Sequence, residues 1–266
     1  MIVPRAIRRV LAAVVVVVFI AAAGFVTWER RWREAGPANP GTCPTVVRAG
    51  NRVPFAASGV HRVALIGDSI MLQASCAVAN SLASLGIETS RHAVSGSGLL
   101  TGMDWVAETR RILAAEKPDV VVAIFVGNYL FGAARDASNA IIKDDTPQFF
   151  RAWQDRARAL SAEVHAAHAR LYWVSPPPIT AKPLAHAGVL YEGYRTIPDD
   201  RFLSSGRVLE GPRGTELMKK ETCGSRRVVR TPDRIHLTAD GARIYGQQIA
   251  HDLSGDLGVI AAPRPC

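Results

Sequence analysis

One stretch restricts the fold more than any other. Residues 120–126 read VVVAIFV, without a polar position. A strand that is apolar at every position must be covered on both faces, and the interior of a parallel sheet flanked by helices provides that cover. The neighbouring pattern agrees. Apolar runs of strand length at 61–66, 87–94 and 171–174 alternate with helical patterns at about 70–85, 105–116 and 146–170. Parallel strands need such crossover helices. Leu237, Ile244 and Ile249 mark a last helix running to about residue 253. Between 175 and 230 the pattern breaks into a Pro- and Gly-rich stretch with one short helix expected near 199–209. It reads as an irregular cover segment in which Tyr191, Tyr194 and Phe202 offer rings for stacking on sugars. The expected fold is an α/β, doubly wound parallel sheet spanning 61–266.

Ahead of this domain, the stretch from Val10 to Trp28 carries no charge and is about long enough to cross a bilayer as a helix. Arg5, Arg8 and Arg9 precede it, and Glu29, Arg30, Arg31 and Arg33 follow it. Residues 1–33 are read as an N-terminal signal anchor with one transmembrane helix, leaving the domain outside the cytoplasm. Cleavage near Ala21, Ala22 and Ala23, giving a secreted protein, is the alternative. Residues 34–60, rich in Gly, Pro and Ala, read as a linker.

Four cysteines, Cys43, Cys76, Cys223 and Cys266, fit two disulfides in an oxidising compartment, with three pairings open. No Cys or His spacing suggests a metal site. The formal charge is +9, and residues 1–34 hold six arginines against two glutamates, so the remainder is only modestly basic. No aromatic-interleaved basic helix accompanies it, which argues against nucleic acid as a partner. Arg226, Arg227, Arg230 and Arg234 run up to His236, as a solvated or acid-paired face or as a contact for an anionic substrate.

Two short blocks carry chemistry. The first strand ends in Gly67-Asp68-Ser69 and passes directly into a helical pattern. This places Ser69 at the carboxyl edge of the sheet, where open α/β sheets bind ligands, and at a helix N-terminus that favours negative charge. Asp and Ser at such a place are also ordinary helix caps. Near the far end lies Asp233-Arg234-Ile235-His236. A serine hydroxyl needs a base to take its proton, and an imidazole needs a carboxylate to hold its tautomer, so Asp233 and His236 supply both from one turn.

With these blocks in this order, the chain resembles the SGNH (GDSL-type) hydrolase family. The resemblance covers about residues 61–253 and implies a flavodoxin-like three-layer α/β/α fold and acyl-ester chemistry without a cofactor or metal. It also implies Ser69 as nucleophile, His236 as base, Asp233 as its orienting partner, and an oxyanion hole of Ser69, Gly96 and Asn128. Gly98 is a one-register alternative to Gly96. The family's Gly-x-Asn-Asp block is altered here to Val126-Gly127-Asn128-Tyr129, which keeps the asparagine. The implied function is an extracytoplasmic serine esterase or O-acyltransferase acting on acyl esters, with acylated cell-envelope sugars as the expected substrates. The alternative is an inactive SGNH-like binding or scaffold domain.

Overall fold

The computed structural model describes residues 43–49, 59–128, 134–135, 140–182, 184–259 and 262–264. All belong to one compact unit, Pro37–Cys266. The apolar segment 10–28 and the anchor assigned to it lie outside the described residues, as do Tyr129 and Cys266.

The long apolar run forms β4 (Val120–Ile124), and all of its residues are buried. Its side chains divide by parity, as a pleated strand requires. Val120, Val122, Ile124 and Val126 join one apolar cluster, and Val121, Ala123 and Phe125 join another. Beside β4 runs β2 (Arg62–Gly67), then β3 (Glu88–Arg91), and on the other flank β5 (Arg170–Val174) and β6 (Arg201–Leu203). These five pair in parallel, in the order β3-β2-β4-β5-β6. That is the flavodoxin-like winding, whose order reverses between β2 and β4. The first cluster is closed by α1 (Ser69–Ala83) and α5 (Ala239–Asp256). The second is closed by α2 (Trp105–Glu116) and α3 (Pro147–Ala166). Local signals start these helices. Asp104 accepts from Val106 N and Ala107 N, while Thr146 caps α3 with Pro147 in its first turn.

Two expectations are corrected. Part of the supposed linker is folded: β1 (Val46–Val47) pairs antiparallel with β3, and a Cys43–Cys76 disulfide joins it to α1 with Cα atoms 5.8 Å apart. Arg91 adds to this by donating to the carbonyls of Cys43 and Pro44. A two-residue strand is too short to show a period. Cys223 is also disulfide-bonded, and no described cysteine is free.

The segment 175–230 is not irregular either. It holds α4 (Ala187–Tyr194), β6, two short 3₁₀ turns, and a hairpin of β7 (Lys219–Thr222) and β8 (Ser225–Val228). Where a helix was expected near 199–209, β6 runs into a 3₁₀ turn over Ser205–Leu209. Tyr191 and Tyr194 are core side chains, and Arg195 lies 3.7 Å from the centroid of the Phe202 ring. These rings are therefore packed rather than presented for stacking on a sugar.

Candidate active site

The reversal of strand order brings the ends of β2 and β4 together, and one residue joins them. Asp68 donates its N–H to Ile124 O at 3.1 Å. Its Oδ2 accepts from Val126 N at 2.6 Å, and its Oδ1 caps α1 by accepting from Ile70 N at 2.9 Å. The side chain is fully buried, and burial pushes its carboxyl up to about 6 despite the opposing pull of those hydrogen bonds and of His236. The capping role was legible in the sequence; the bond to Val126 was not.

Ser69 opens α1. Its Oγ lies 3.1 Å from His236 Nε2, and His236 Nδ1 lies 2.6 Å from Asp233 Oδ2. With a proton on Nδ1 donated to the carboxylate, Nε2 is free to accept from the serine hydroxyl. Asp233 is itself firmly held, its Oδ1 accepting from Thr231 Oγ1 (2.5 Å), Ile235 N (2.9 Å) and His236 N (3.0 Å). Burial alone would raise its pKa, but the bonds from His236, Thr231 and these backbone groups hold the carboxyl well below the usual carboxylate range. It is therefore ionised at neutral pH.

The arginines before this turn separate by role. Arg230, 1% exposed, donates to Ile235 O at 2.8 Å and Pro178 O at 2.9 Å, which braces the turn from beneath. Burial lowers its pKa to about 10. Arg234 pairs with Glu216, whereas Arg226 and Arg227 lie exposed on β8. An anion-binding cluster of all four is not formed.

Two further loops carry the residues expected as oxyanion donors. Asn128 follows β4 and is buried, and its Nδ2 finds no hydrogen-bond partner. Buried donors of this kind are rarely left alone. The loop after β3 is tied to β2 by Val94 N donating to Gly67 O at 2.8 Å, then turns at Gly96 with φ 74°. Gly98 is pressed against the other loop: a Cβ there would stand 2.2 Å from Asn128 O. Thr101 Oγ1 donates to the same carbonyl at 2.8 Å. Because Gly98 N already donates to Thr101 O at 3.0 Å, the glycine available as a donor is Gly96. Behind the loop, buried His186 stands 3.2 Å from Gly127 O and 3.1 Å from the Asp145 carboxylate. Among the described residues no group of His, Cys, Asp and Glu is arranged to hold a metal ion.

A hydrogen-bonded Ser69–His236–Asp233 path at the strand-order reversal, with the serine buried and the His–Asp pair part-exposed, is an arrangement of the SGNH (GDSL-type) class. Within it, the chain belongs to the family described as protein of unknown function (DUF459), whose profile matches residues 62–252. No curated protein matches the sequence. Solved structures share the fold at low identity. A catalytic mutant of an acetylxylan esterase from Geobacillus stearothermophilus is 15% identical, with a TM-score of 0.51, covering 77% of this chain and 97% of its own. A proposed acylhydrolase from Bacteroides fragilis is 14% identical, with a TM-score of 0.52 and coverage of 77% and 92%. A GDSL-like lipase from Bacteroides thetaiotaomicron is 12% identical, with a TM-score of 0.50 and coverage of 77% and 92%.

Sequence reasoning missed Thr231 and Gln73, and grouped Arg230 with its neighbouring arginines rather than with the turn it braces. Each acts through backbone groups or side chains brought in by the fold. The one signal available was a polar Gln73 among the apolar residues of α1.

Proposed function

We propose that this protein is a serine esterase or O-acyltransferase. The observation that carries the reading is the continuous hydrogen-bonded path Ser69–His236–Asp233; the unpaired Asn128 amide, after the neighbouring strand β4, adds to it. Ser69 Oγ attacks the ester carbonyl carbon as its proton passes to His236 Nε2. The negative charge that develops on the carbonyl oxygen is received by Asn128 Nδ2 and the N–H groups of Ser69 and Gly96, and the N-terminus of α1 adds its positive dipole end. Collapse of the tetrahedral species breaks the ester C–O bond, and His236 returns the proton to the departing alcohol. Asp233 stabilises the imidazolium throughout. The resulting acyl-Ser69 ester is resolved by the reverse sequence, with water or a second alcohol as nucleophile.

Hydrolysis and transfer share this acyl-enzyme, and acylated sugars of the cell envelope are the substrate class we assign. The disulfides, which persist in oxidising compartments, support that setting. The esterase fold with a sugar-directed relative, the acetylxylan esterase, supports an O-acyl sugar as donor. The test is reaction with an activated short-chain ester and a fluorophosphonate probe. Wild type turns over the ester and is labelled at Ser69, while Ser69→Ala loses both at unchanged melting temperature. Near wild-type turnover by Ser69→Ala sinks the reading. Adding excess sugar acceptor and measuring the product ratio separates transfer from hydrolysis.

A further inference from the structure

We propose that Gln73 is a positioning residue that sets the register between Ser69 and His236. The inference rests on the reading of these two as nucleophile and base. Ser69 and Gln73 are one helical turn apart on α1 and so lie on the same face. From there the Gln73 amide meets Leu237, the residue after His236, at both of its backbone groups. Leu237 N donates to Gln73 Oε1 at 3.0 Å, and Gln73 Nε2 donates to Leu237 O at 3.3 Å. A single side chain thus reproduces the two-bond exchange made by a paired strand residue.

Burial makes this arrangement consequential. Gln73 is 8% exposed, and Met71, Ala74 and Leu237 around it are fully buried. A primary amide in such surroundings is tolerated only when its hydrogen bonds are made, and here both go to one partner. The nucleophile's helix is thereby fastened to the base's loop one helical turn from Ser69 and one residue from His236. Arg230 braces the same turn from beneath through Ile235 O, and Thr238 caps α5 immediately beyond Leu237. The base is therefore held from below by Arg230, and the clamp fixes it relative to Ser69. Since a misplacement of about 1 Å can lower a rate on the order of 100-fold, the geometry assigns Gln73 a share of the acylation rate without contact with substrate.

The experiment compares wild type, Gln73→Met and Gln73→Glu by three readouts: kcat and KM on an activated ester, the rate of Ser69 phosphonylation by a fluorophosphonate, and exchange of the Leu237 amide hydrogen. Gln73→Met keeps the length and removes both bonds. We expect kcat/KM and phosphonylation to fall by roughly 30-fold, with KM within twofold of wild type and Leu237 exchange at least tenfold faster. In Gln73→Glu, the protonated carboxyl can accept from Leu237 N and donate to Leu237 O, whereas the ionised form cannot donate. Its rate profile therefore gains a limb that declines with rising pH and is absent from wild type.

A wild-type phosphonylation rate in Gln73→Met, or a Gln73→Glu profile that superimposes on wild type, overturns the proposal. If Gln73→Met does not fold, the Gln73→Glu profile decides. A wild type left unlabelled by the probe overturns the hydrolase reading instead. Leu237 exchange then still reads the clamp, and an unchanged exchange rate shows that it does not hold.

Discussion

Asp68 works in a direction opposite to most carboxylates. Its folded pKa, about 6, lies above the unfolded value of 3.8. The stability it contributes is therefore fully present below the unfolded value and is lost as pH rises through about 6. A shift of this size corresponds to about 3 kcal/mol given up between pH 4 and 7. Asp233, with its depressed pKa, contributes stability above the unfolded carboxylate range that is lost only in stronger acid. We expect Asp68→Asn to remove the decline between pH 4 and 7 in urea unfolding, and to lower turnover because one of Ile70 N and Val126 N loses its acceptor. A variant with the wild-type slope would contradict the raised carboxyl. At Asn128 the expectation concerns the transition state: Asn128→Ala lowers kcat by roughly 100-fold or more with KM little changed, as removal of an oxyanion donor does. An unchanged kcat would remove Asn128 from the site. Ser69, Asp233 and His236 were legible in the sequence because each sits in a short local block. Asp68's tie to Val126 was not, since the partner is a backbone N–H brought in by strand pairing.

Elements with a full period were readable, and short ones were not. β4 announced itself by seven apolar positions and α3 by the length of its helical pattern. β6 has three residues, of which Leu203 is buried, Phe202 intermediate and Arg201 exposed, so no alternation could emerge. α4 has eight residues and lies among prolines and glycines. Both nevertheless complete the core, through Leu190, Tyr191, Tyr194 and Leu203. Burying these four side chains contributes about 1.5–3 kcal/mol each, comparable in sum with the whole stability of a domain. Excising residues 182–207 is therefore expected to abolish cooperative thermal unfolding rather than alter the balance of transfer and hydrolysis. A sharp melt in the excised protein, followed by circular dichroism, would show that the segment is dispensable.

Across the whole molecule, the winding order decides where chemistry is possible. Ser69 and Asn128, far apart in the chain, come to adjoining strand ends because β2 and β4 are neighbours and their following loops diverge to opposite faces, while His236 is brought to Ser69 by the turn ahead of α5. The doubly wound class followed from strand–helix alternation. The adjacency of β1 to β3 and the Cys43–Cys76 pairing did not, because three pairings of four cysteines were equally compatible with the spacing. That disulfide also determines how the domain carries mechanical load. Tension applied from the N-terminal side reaches Cys43 and passes through the crosslink directly to Cys76 in α1. The intervening chain, a separation of 33 residues, is bypassed, and Ser69 lies within it. Pulled in single-molecule experiments, the Cys43→Ser/Cys76→Ser variant should unfold with an extension roughly 110–120 Å longer than wild type, the contour length of the bypassed loop. Equal extensions would mean that the crosslink carries no load. With it in place, Ser69 lies in the bypassed segment, and a tug on the chain ahead of Cys43 does not stretch β2 or the start of α1.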